Sequence, residues 1–132
     1  MPITINLTDE QRTNLLTSAI EGGSNYWYMF EEHAGNLINS VPELPTTKES
    51  CFDGTFVWKL WSALKAGLEI PVHDIETSEE IGKLSMNSIE QGEQTMSEKY
   101  AYDLAEILQQ NYDASTADAW FQLAVMNEII YG

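Results

Sequence analysis

The stretch that most constrains this chain runs from Glu21 to Phe30, where an apparent helix stops at Gly22-Gly23 and Tyr26, Trp27, Tyr28 and Phe30 follow. Glycine permits positive φ and close backbone approach, while large aromatics demand burial and partners for their polar tips. The stretch therefore reads as a structural corner or as a wall facing a ligand.

Upstream, Ile3, Ile5 and Leu7 alternate with polar residues, which suits a short strand or extended arm. Thr8-Asp9-Glu10-Gln11 has the form of a capping box and predicts a helix over 9–21. Leu15, Leu16, Ala19 and Ile20 would be its buried stripe, with Gly22 or Gly23 as a left-handed C-cap. Asn25 could then cap a second helix through Asn36. The alternative is a strand, with Tyr26, Tyr28 and Phe30 on one face and Trp27 and Met29 on the other. The run from Met29 to Ala34 tips the reading toward helix.

From Val41 to Gly54 neither periodicity persists, and Pro42 and Pro45 mark a loop. Helical spacing returns over 55–66 with Phe56, Val57, Leu60, Trp61 and Leu64, ending at Gly67, while Trp58 points off that stripe. Leu68 to Glu76 reads as extended, with Pro71 arguing for an edge strand or a strand start, and Thr77 to Glu80 as a turn. Helix resumes near Ser85 and breaks between Lys99 and Tyr102. After a connector at 111–114, Asp113 or Ser115 can cap a final helix whose apolar face holds Ala117, Trp120, Phe121, Ala124, Val125 and Ile129. This helix is the expected core. The fold class expected is α+β, predominantly α-helical, with about five helices and a few short strands in one domain over 1–132.

Charge then limits function. The net charge of -15, from 21 acidic against 6 basic residues, repels phosphate backbones and anionic lipid surfaces, so neither direct nucleic-acid binding nor membrane binding is expected. Cys51 is the only cysteine, which excludes an internal disulfide and reads as a packing residue in a reducing compartment. No basic-then-apolar leader and no run of roughly 18 apolar residues is present, so a cytoplasmic location is expected. His33 and His73 have no metal-ligand spacing, and nucleophile-elbow and phosphate-loop motifs are missing. The adjacent pairs Glu31-Glu32 and Glu79-Glu80 do not face one another on a helix. The expectation is a non-enzymatic binding protein with no catalytic residue, metal or cofactor.

Glu21-Gly22-Gly23-Ser24-Asn25-Tyr26-Trp27-Tyr28, the run from Asp113 to Ala124 and the closing Glu128-Ile129-Ile130-Tyr131-Gly132 resemble a group of small bacteriophage proteins of unassigned function. Their EGGSxYW-like start and TAD…YG-like end bracket a variable middle. The chain departs from the pattern at Met126-Asn127, where Phe-Gly is usual, so close packing of the last turn does not carry over. The resemblance implies a phage-encoded protein acting in the host cytoplasm. Independently of it, Glu21, Ser24, Asn25, Asp113, Thr116, Asp118, Gln122 and Glu128 are polar residues lodged beside core-like segments, fitted either to pair with one another or to face a ligand.

Three functions compete. The first is antagonism of bacterial antiviral defence by sequestering a small nucleotide-like signal, with Gly22, Gly23, Ser24, Asn25, Tyr26, Trp27, Tyr28 and Trp58 as the ligand wall. The second is an acidic mimic of nucleic acid on a basic host nuclease or CRISPR-type complex, with Glu76, Glu79, Glu80, Glu90 and Glu93 as the partner face. The third is a homo-oligomeric structural protein that buries exposed aromatics between subunits. Because the two ends carry the resemblance together, residues 26–30 are expected to pack near Trp120, Phe121 and Tyr131.

Overall fold

The computed structural model describes residues 7–45 and 55–132. The alternation at Ile3 and Ile5, the reading of Cys51 and the second part of the loop lie outside the described residues. Among them are six α-helices and one antiparallel sheet, in the α+β, mostly helical arrangement expected. In chain order they are α1 (Asp9–Ser18), β1 (Tyr28–Met29), α2 (Glu32–Asn39), α3 (Phe56–Lys65), β2 (Ile70–Asp74), β3 (Glu80–Leu84), α4 (Met86–Lys99), α5 (Ala101–Leu108) and α6 (Ala114–Met126).

The capping box forms as read: the Gln11 N–H donates to Thr8 Oγ1 at 3.0 Å and the Thr8 N–H to Gln11 Oε1 at 2.8 Å. The end of α1 differs from expectation. Neither Gly22 nor Gly23 takes a left-handed φ; the helix widens into a π turn over Ala19–Gly23, closed by Ser24 N–H to Ala19 O at 2.9 Å. Gly23 is needed for proximity, since a Cβ there would stand 2.8 Å from the Ala114 carbonyl oxygen at the start of α6. Asn25 likewise caps no helix. Residues 25–27 turn, β1 follows, and α2 begins only at Glu32.

The sheet order is β1-β2-β3, so β2 is central and not an edge strand; Pro71 instead stands at the strand start, the other alternative it allowed. The proline is tolerated because β1 reaches only His73 and Asp74, leaving Pro71 paired solely with Lys83 of β3. β3 was not anticipated, because Glu80-Ile81-Gly82-Lys83-Leu84 holds few strand formers. Gly82 lies against the Val125 carbonyl, where a side chain would collide.

α6 is the buried centre, with Ala117, Trp120, Phe121, Leu123 and Ala124 almost wholly enclosed. α4 crosses it at Gly92, where a Cβ would stand 2.5 Å from the Leu123 carbonyl. The helix stops at Met126 because Asn127 turns left-handed, at φ 59°, a region that Gly and then Asn enter most readily. Ile129 therefore lies past the helix and not on its face. Trp58 forms a second packing surface: its indole N–H donates to Leu44 O at 2.8 Å and ties the segment after α2 to α3.

Two glycines give opposite expectations. Gly92→Ala drives a methyl into the α6 backbone and should destabilise by about 2–3 kcal/mol. Gly35→Ala, inside α2 with nothing within 4 Å of the new Cβ, should stabilise by about 0.5–1 kcal/mol. Urea unfolding midpoints of the two variants check both.

Candidate functional site

Asp113 sets where α6 begins. Its Oδ1 accepts from the Thr116 N–H at 3.1 Å and from the Thr116 hydroxyl, and these bonds hold its carboxyl below the usual range. From that start, Asp118 and Gln122 stand one turn apart on the side of α6 facing the glycine–aromatic corner.

Asp118, only 8% exposed, accepts four hydrogen bonds. Ser24 Oγ and the Trp27 indole each donate to Oδ1 at 2.7 Å. Tyr26 donates to Oδ2 at 2.5 Å and Gln122 Nε2 at 3.1 Å. Gln122 also clamps the chain beyond α6. Its Oε1 accepts from the N–H groups of Ile130 and Tyr131 at 2.9 Å, and its Nε2 donates to Tyr131 O, also at 2.9 Å. The Tyr131 ring then stacks on Trp27, with centroids 5.2 Å apart and planes 10° apart, while its hydroxyl donates to Asp74 Oδ2 at 2.6 Å. Trp27 and Tyr28 also meet Phe121, at 5.5 and 5.2 Å. The corner closes onto Phe121 and Tyr131 as expected, through the rings of Trp27 and Tyr28, whereas the Trp120 indole turns to Glu93 instead.

The expected ligand wall is thereby divided. Gly22, Gly23 and Tyr26 line one groove of about 650 Å³ together with Ser115, Asp118 and Tyr131. Ser24 and Trp27, 0% and 1% exposed, lie beneath it and cannot face a ligand. Asn25 and Tyr28 line a second groove of about 590 Å³ with Phe30, Phe56 and Ile75. Trp58 lines neither. Among the described residues no lysine or arginine lines either groove.

The acidic face also changes. Glu76, Glu79 and Glu80 are exposed around the β2–β3 turn, and Glu90 is exposed on α4. Glu93 is 1% exposed and leaves that face, because on α4 it shares the buried side with Ile89, Gly92 and Met96. Arg12 meets it with two bonds, Nη2 to Oε1 at 2.6 Å and Nε to Oε2 at 3.0 Å, and the Trp120 indole donates to Oε2 at 3.0 Å. Glu93 raises the Arg12 pKa, first through these hydrogen bonds. This link across α1, α4 and α6 escaped the sequence reading. A signal for it existed: Arg12 occupies the same helical stripe as Leu15, Leu16 and Ala19.

Among the described residues no group of three His, Cys, Asp or Glu side chains could hold a metal ion, and no helix is long and apolar enough to cross a membrane. Comparisons with known protein families, curated proteins and solved structures found no match.

Asp118→Asn would turn an amide donor toward donors, and should cost about 3 kcal/mol in urea unfolding. Alkali should act on the same cluster. Tyr26 and Tyr28, raised chiefly by burial, and Tyr131, raised chiefly by its bond to Asp74, are each pushed up to about 12. Unfolded tyrosine ionises near 10. A raised folded pKa contributes stability that is complete below the unfolded value and lost as pH climbs through the folded one. Near-ultraviolet phenolate absorbance should therefore show ionisation coupled to unfolding between about pH 10 and 12.

Proposed function

We propose that the protein is a non-enzymatic binding protein that engages a basic partner protein through its acidic surface. Within the phage setting that the resemblance implies, the partner is a nucleic-acid-handling component of bacterial antiviral defence, and the chain occupies its basic channel in the host cytoplasm. The observation that carries this reading is the uncompensated charge. Among the described residues only Glu93 and Asp9 meet an arginine or lysine side chain, while Glu76, Glu79, Glu80 and Glu90 are exposed. Such a surface accelerates encounter with a positive partner and disfavours polyanions.

A second reading keeps the small nucleotide-like ligand. Its support is the groove where the exposed Tyr26 ring stands beside Gly22, Gly23 and the first turn of α6. Against it stand the Asp118 carboxylate in that groove and the lack of a lining lysine or arginine among the described residues.

The test is inhibition of nucleic-acid cleavage by a panel of basic defence nucleases and CRISPR-type effectors. The variant Glu76→Gln/Glu79→Gln/Glu80→Gln/Glu90→Gln should lower the association rate with a susceptible enzyme by about tenfold or more at low salt. Inhibition that is unchanged in 1 M salt, where the Debye length is about 3 Å, would contradict the charge mechanism. A nucleotide released on denaturing the purified protein, and rebound on refolding, would favour the second reading.

A further inference from the structure

We propose that the apolar groove beside β1 docks an extended protein segment alternating aliphatic and basic side chains, supplied by the basic partner of the reading above, on which this inference rests. The groove is bounded by β1, the first turn of α2 and the start of α3. A line of rings forms its wall: Tyr28 and Phe30 lie 5.4 Å apart, and Phe30 and Phe56 5.7 Å apart. Phe56 is 42% exposed and Ile75 45%, so two large apolar side chains meet water at the same place. Isolated exposed apolar residues are ordinary, but several sharing one concave surface are characteristic of a recognition site.

The backbone specifies an extended occupant. Among the described residues β1 is an edge strand, paired only with β2, and Trp27 O accepts from the Ile75 N–H at 2.9 Å. In an antiparallel ladder the next residue's peptide groups point the other way, so those of Tyr28 are directed away from β2, to an edge that no other described strand occupies. A segment added there gains backbone hydrogen bonds and sends alternate side chains into the groove.

Charge selects the flanking residues. Glu31 and Glu32 line the groove, and among the described residues no lysine or arginine does. A second copy of this chain, itself carrying -15, is repelled from such a rim, whereas a lysine-bearing segment is attracted. Aliphatic residues toward the rings and basic residues toward the rim fit a two-residue strand period.

The probe is a fluorescein-labelled, end-capped Lys-Val-Lys-Val-Lys-Val peptide titrated with the full chain and followed by anisotropy. A dissociation constant on the order of 10–100 µM is expected, with a Lys-Gly alternation at least about tenfold weaker. Phe56→Asp is the deciding variant. It places an acid in the first turn of α3, a favourable position for the helix dipole, so the fold should survive, as a melting curve will show. Although it adds negative charge, it should weaken the peptide about tenfold by removing apolar contact. Glu31→Gln/Glu32→Gln should weaken it about threefold and flatten the salt dependence.

Equal affinity for the Lys-Gly peptide, unchanged or tighter binding by a folded Phe56→Asp, absence of saturable binding, or a dimer formed through this face would each overturn the groove proposal. If the groove fails while the Glu76/Glu79/Glu80/Glu90 variant still slows association with a defence enzyme, the acidic-surface reading stands alone. If both fail, that reading falls too.

Discussion

A carboxylate enclosed among aromatic rings must be satisfied, and Asp118 is satisfied only when donors from separate parts of the chain converge on it. Ser24, Tyr26 and Trp27 arrive from the turn after α1, and Gln122 from the next turn of α6. An unpaired buried acid is costly enough that this convergence is close to all-or-none. Gly23 makes it possible, because only a residue without a side chain lets the π turn approach the start of α6. Through Gln122 the same centre seats Ile130 and Tyr131, and Tyr131 then covers Trp27.

On its other side α6 meets a second enclosed acid. Glu93 is held by both arms of Arg12 and by the Trp120 indole, so α1 and α4 are set relative to α6 by a geometry that a slipped register would break. Buried ion pairs often add little net stability, since desolvation offsets attraction, but they penalise misalignment strongly. Gly92 and Gly82 let α4 and β3 reach the α6 backbone, so the core helix is approached closely from two further directions.

These commitments decide what is left for function. The aromatics that looked most like a ligand wall are spent on closing the fold, and Glu93 is spent on a helix crossing. Apart from the enclosed Asp118, the remaining acids among the described residues are exposed or half-exposed, almost all without a lysine or arginine beside them. Two grooves flank the corner, neither lined by a basic side chain among the described residues. A cationic or apolar partner suits that surface better than a phosphate does.

Local patterning determined much of this protein. The capping box at Thr8, the stripe of α1, the helix over 56–65, the break at Tyr100 and the cap at Asp113 depend on residues within one or two turns of each other, so they can be read along the chain. The approach of the two ends was expected from the resemblance they carry together, while the polar residues beside them left both pairing and ligand contact open. Tertiary structure alone decided the rest. Whether residues 26–30 formed helix or strand depended on β2 being available to pair, and the role of Gly23 depended on a carbonyl 91 positions away. Trp27 could be placed under a groove or facing it only by the position of Asp118, and Arg12 became a core residue only through Glu93. Sequence periodicity shows which face of an element is buried; it does not show what that face meets, and for buried charges and aromatic tips the partner determines the role.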